Sequence, residues 1–107
     1  YGPSGFTVSG ARYDGPVLVL PTLTLPWQAN SLSDIDAAAL VGALGPAKVS
    51  LCLIGCGART EQVPEALRAA LKAAGIAVDA MATGAASRTY NMLAGEGRAV
   101  AAALIPA

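Results

Sequence analysis

The 107-residue chain contains no histidine. That removes Ser-His-Asp and Cys-His nucleophilic catalysis, together with most zinc sites. Cysteine is scarce as well: Cys52 and Cys56 are the only two. Two thiols cannot staple a domain of this length, so a disulfide scaffold is excluded. Charged residues make up 13 % of the chain, seven basic against seven acidic, for a net charge of zero. A nucleic-acid binder or a ligand of anionic membranes would carry a basic excess, and none is present. No apolar run approaches the roughly 20 residues a membrane-spanning helix needs, and no secretory signal pattern follows Tyr1. Asp34, Asp36, Glu61, Glu65, Asp79 and Glu96 are scattered. They show neither metal-ligand spacing nor a pairing suited to acid–base work. There is no phosphate-loop lysine motif. The expectations are therefore no metal, no cofactor, no nucleic acid, no membrane insertion and a cytoplasmic location.

What the chain has in quantity is apolar surface, 54 % of residues, much of it alanine. A length of about 100 residues fits one domain spanning 1–107 with a real core. Phe6 and Val8 alternate with polar residues as a short strand. Tyr13-Asp14-Gly15-Pro16 marks a turn. Val17–Leu20 and Thr22–Leu25 follow as β segments, and Pro21 and Pro26, which lack donors, either place the latter at a sheet edge or end it there. Trp27 reads as a large hydrophobe closing the core, with ligand stacking as the other option. The spacing of Ala37, Leu40, Val41 and Leu44 predicts a helix over 33–44, capped by Ser33 with Asp36 three residues on, and ended by Gly45-Pro46. Lys48–Ile54 is a nearly all-apolar strand, with Val49, Leu51, Cys52, Leu53 and Ile54, expected where both sheet faces are covered. A helix from Pro64 to about Ala74 buries Val63, Leu67, Ala70 and Leu71 and presents Glu65, Arg68 and Lys72. Gly75 ends it, and Ile76–Met81 forms the next strand. This is a βαβ unit with parallel strands. A helix over 84–94 and a closing strand at Val100–Ile105 complete the chain; the last segment is short and bounded by Glu96-Gly97 and Pro106.

The densest polar stretch is Asp79 to Arg98. Together with Phe6 near the start, Trp27 and Gly55-Cys56-Gly57, the blocks Met81-Ala82-Thr83-Gly84, Ser87-Arg88-Thr89-Tyr90-Asn91 and Glu96-Gly97-Arg98 resemble a family of small uncharacterised domains. That family includes a mitochondrial complex I assembly factor and an adipogenesis-associated protein. Where it usually has Thr between the two glycines and often Cys before the arginine, this chain has Cys56 and Ser87. The resemblance implies a three-layer α/β fold with a mixed central sheet and an added N-terminal β-hairpin layer. The family has no established catalytic residues, and its mitochondrial member works by binding partner subunits during complex I assembly.

Two functional readings follow. In the first, the chain is a non-enzymatic assembly or accessory factor. Its low charge and its Pro-rich strand at 16–27 leave room for a protein partner or self-association. In the second, the loops after the two parallel strands form a small-anion cleft, since ligands collect at strand carboxyl ends and helix N-termini attract anions. Its candidate residues are Gly55, Cys56, Gly57, Arg59, Thr83, Gly84, Ser87, Arg88, Tyr90 and Asn91. Turn formation, helix capping by Thr83 or Ser87, and pairing of Arg88 with Glu96 or Asp79 would account for the same residue types without a ligand. Cys56, near a helix start, is a candidate for a lowered thiol pKa; Cys52 reads as core.

Overall fold

The computed structural model describes residues 6–8, 11–13, 15–21, 23–27 and 35–106. β1 (Phe6–Val8) and β2 (Ala11–Tyr13) pair antiparallel as a separate two-stranded sheet. β3 (Val17–Val19) and β4 (Thr24–Pro26) form a second hairpin. Its turn is closed by the Leu20 N–H donating to the Leu23 carbonyl at 2.7 Å. α1 (Ala37–Ala47), β5 (Leu51–Cys56), α2 (Glu65–Ala73), β6 (Ala77–Met81), α3 (Thr83–Gly95) and β7 (Val100–Ile105) follow. The central sheet is mixed, in the order β4-β3-β7-β5-β6, with β7, β5 and β6 mutually parallel and β3 antiparallel to both neighbours. The fold is three-layer α/β with a mixed central sheet and an N-terminal hairpin, and β5-α2-β6 is its βαβ unit.

Strand alternation divides the core in two. Cys52, Ile54, Ala101 and Ala103 face one side, where Leu40 and Leu44 of α1 and Leu67 and Leu71 of α2 pack on them. Leu53, Val100, Ala102 and Leu104 face the other, with Ala86, Tyr90 and Leu93 of α3. The apolar run of β5 is thus covered on both faces. All six residues of β7 are buried, which is why its pattern carries no period of two. Three consecutive alanines at its centre leave little side-chain bulk between the sheet and the helices.

Several boundaries differ from the sequence expectation. The N-cap of α1 is Asp36, whose carboxylate accepts from the N–H groups of Ala38 (3.0 Å) and Ala39 (3.3 Å). Ser33 lies outside the described residues. The helix also runs through Pro46 to Ala47 and ends in left-handed Lys48 (φ 55°). Pro46 sits in the last turn of the helix, and the Lys48 N–H donates to the Gly45 carbonyl at 3.1 Å. Pro64 is the N-cap of α2 and not its first helical residue. Gly75 (φ 79°) does occupy the left-handed position that ends α2. Trp27 is half-buried against the α1/α2 side of the core. Its indole N–H is buried with no acceptor among the described residues.

Candidate functional site

Because β5, β6 and β7 run parallel, their carboxyl ends share one rim of the sheet. Pairing brings Gly55 level with Met81 on one side and Leu104 on the other, and Cys56 level with Ile105. The chain leaves β5 through Gly57, whose φ of 93° suits only glycine. It leaves β6 through Ala82, the N-cap of α3, so the helix begins at Thr83, one residue before the expected turn at Gly84.

Thr83 is fully buried and ties this rim together. Its hydroxyl accepts from the Gly57 N–H at 2.8 Å and donates to the Ile105 carbonyl at 2.5 Å. Its own N–H donates to the Gly57 carbonyl at 2.9 Å. One side chain therefore joins the β5 loop, the start of α3 and the end of β7. A Cβ at Gly55 would lie 2.9 Å from Thr83 Oγ1 and 3.0 Å from Thr83 Cα. Glycine at 55 is thus what lets Thr83 approach. A second tie is the Ala82 N–H donating to Thr60 Oγ1 at 3.2 Å.

Neither expected hydroxyl caps α3, which has no side-chain cap. Thr83 bonds outward to other segments, and Ser87 Oγ donates back to the Thr83 carbonyl at 2.9 Å. The first-turn N–H groups of a helix have no intrahelical partners, and buried Gly84 belongs to that turn. Arg59, after β5, and Arg88, in the second turn of α3, are both exposed. Tyr90 is half-buried against the α3 side of the core, and burial raises its phenol pKa. Asn91 is exposed, eight residues beyond Thr83 and so about 12 Å along the helix axis. The structure brings Gly55, Cys56, Gly57, Thr83 and Gly84 together at the rim. Ser87 sits one turn away, Arg59 and Arg88 lie on the surface of their own segments, and Tyr90 and Asn91 are two turns off.

Cys56 departs from the expectation of a lowered thiol pKa. It is the last residue of β5 and buried, and desolvation raises its pKa; backbone hydrogen bonds from Glu61 and Met81 oppose this without overcoming it, and the Glu61 charge adds to the rise. Cys52, fully buried, is pushed from an ordinary 9.0 to about 12. Among the described residues no His, Cys, Asp and Glu group is gathered closely enough to hold a metal ion.

Sequence reasoning missed the opposite end of β6. There an open cavity of about 510 Å³ is lined by Arg68, Lys72, Gly75, Ile76, Ala77 and Val78. The signal available was two like charges four residues apart on the polar face of α2, one turn before its terminating glycine.

A family model described as "Protein of unknown function (DUF498/DUF598)" matches residues 1–105. The chain belongs to this family. A Danio rerio relative, "NADH dehydrogenase (ubiquinone) 1 alpha subcomplex assembly factor 3", is 41 % identical over 108 residues, 99 % of this chain and 62 % of that protein. The chain therefore spans less than two thirds of that factor. An uncharacterized protein of Rhodobacter capsulatus is 39 % identical over 106 residues, 99 % of this chain and 81 % of its own length. Among solved structures, a Bordetella parapertussis protein superposes with a TM-score of 0.90 at 35 % identity, over 100 % of this chain and 92 % of that one.

Proposed function

We propose that this chain is a non-enzymatic assembly or accessory factor that acts by binding protein, of the respiratory complex I assembly-factor type. The observation that carries the reading is the 41 % identity to assembly factor 3 across 99 % of this chain. The chemistry at the carboxyl rim supports it: the hydroxyls of Thr83 and Ser87 are held by backbone partners, and Cys56 is buried with a raised pKa. On this reading the protein works in the cytoplasm as a bacterial protein, through a partner chain or a second copy, without nucleic acid or membrane insertion. The free state of Cys52 and Cys56 suits a reducing compartment. Its mass in solution and affinity capture from lysate test the reading. A specific partner or a defined oligomer is expected; a strict monomer retaining nothing would overturn it.

A second reading, a small-anion-binding protein or enzyme with its cleft between the Gly55 and Gly84 loops, is favoured by one observation. The N-terminus of α3 has no side-chain cap, and with the Thr83 N–H bonded to the Gly57 carbonyl it is the N–H groups of Gly84 and Ala85 that would meet an anion. On this reading Gly55, Cys56 and Gly57 shape one wall, Thr83, Gly84 and Ser87 the other, and Arg59, Arg88, Tyr90 and Asn91 supply contacts. Titration with phosphate-bearing and carboxylate metabolites, on the intact chain and on Arg88→Ala, tests it. Saturable binding weakened by the substitution is expected, and no binding to the intact chain removes the idea.

A further inference from the structure

The two edges of the central sheet are built differently. β4 has three residues and carries Pro26, the kind of blunting that discourages strand addition. β6 has five residues and no proline, and among the described strands it stands at the other edge. Its Ala77 N–H donates to the Ser50 carbonyl of the β5 side at 3.0 Å. By the alternation of a parallel ladder, Ala77, Asp79 and Met81 turn their peptide groups toward β5, and Val78 and Ala80 turn theirs away from the sheet. Val78 and Ala80 place their side chains on the α1/α2 side and Met81 on the α3 side, so Asp79, which is exposed, belongs to the α3 side as well. Next to the amino end of this edge, α2 sets exposed Arg68 and Lys72 around the cavity that Ile76, Ala77 and Val78 complete.

We infer that the β6 edge takes an extended segment of a partner protein as a sixth strand, with that segment's carboxylates on the α2 side. The inference rests on the protein-binding reading above and names the surface and the partner chemistry. Main-chain hydrogen bonds to Val78 and Ala80 would supply attachment, and alternate side chains would supply selection. Arg68 and Lys72 select acidic residues on one face of the incoming strand. Asp79 selects against them on the other, because like charges placed opposite across strands destabilise pairing. The same residue disfavours one register of a second copy: two-fold antiparallel pairing centred on Asp79 would set two carboxylates face to face.

The test is an NMR titration of the labelled chain with a blocked heptapeptide, Thr-Glu-Val-Glu-Thr-Glu-Val, and with its counterpart carrying Lys for each Glu. The acidic peptide is expected to shift the amides of Val78 and Ala80 most and to bind at least about fivefold more tightly than the basic one, the scale of two exposed charge pairs. The double variant Arg68→Glu/Lys72→Glu, at exposed positions, is expected to reverse that preference. Ala80→Pro, which removes an outward N–H and puts the proline ring on that edge, is expected to abolish binding of both peptides. Unmoved β6 amides, equal affinity for the two peptides, or self-association through β6 would overturn the inference. A partner captured from lysate and retained undiminished by both variants would also overturn it while leaving the protein-binding reading intact. A chain that binds the acidic peptide yet retains no partner from lysate would support the edge and count against that reading.

Discussion

The rim at Thr83 and the edge at β6 use the same kinds of groups in opposite ways. At the rim, a buried threonine, a glycine N–H and a strand-terminal carbonyl satisfy one another inside the chain. At the edge, backbone groups of a regular strand face outward and two cations stand beside them. The polar residues cluster in sequence near the rim, whereas the groups directed away from the fold include the backbone of Val78 and Ala80, residues with nothing polar in their side chains. What a residue offers to a ligand depends on what it is already bonded to, and sequence composition does not record that.

The largest effect that would break this contrast is expected at Gly55. Gly55→Ala forces its Cβ against the Thr83 backbone, and overpacking of this kind costs about 3 kcal/mol, measurable by urea unfolding. If Gly55→Ala is neutral, the rim is looser than described. Thr83→Val keeps the volume but leaves the Gly57 N–H and the Ile105 carbonyl without their partner. A loss of about 2 kcal/mol is expected, with Thr83→Ser recovering part of it. The thiols sharpen the comparison by pH. The folded-state pKa of Cys52 lies above its unfolded value, so the unfolded chain ionises first. Its contribution is intact below about pH 9 and is lost as pH rises toward 12. Unfolding measured across that range should show falling stability, and at neutral pH both Cys52 and Cys56 should label more slowly than a free peptide thiol. A fast Cys56 would mean an open rim. The smallest effect belongs to the edge: Arg68→Ala and Lys72→Ala should each change stability by less than about 0.5 kcal/mol, the ordinary range for surface positions.

Much of the fold was legible because its signals are local. The apolar run from Val49 to Ile54 announced a strand covered on both faces. Leu67 and Leu71, opposite Arg68 and Lys72, announced an amphipathic helix, and Gly75 its end. Val100–Ile105 was readable as a strand only through its length and its flanking turns, since burial on both faces erases alternation. The start of α1 was misplaced because Ser33 and Asp36 both match capping chemistry, and spacing alone does not say whose oxygen reaches Ala38 and Ala39. The role of Thr83 was out of reach for a different reason. It depends on β7 lying next to β5, which brings Ile105 beside residues about 20 to 50 positions earlier, and no local pattern encodes that neighbour relation. The β6 edge was hidden for the same reason, because which strand ends a sheet is a property of strand order.

Native-state hydrogen exchange tests the contrast most directly, because it reads the backbone groups themselves. The amides of Gly57 and Thr83 are expected to exchange only through large-scale opening and those of Asp79 and Met81 to be protected by β5, while Val78 and Ala80 exchange orders of magnitude faster within the same strand. Gly57 exchanging as fast as Ala80, or Val78 and Ala80 as protected as Asp79, would contradict the contrast.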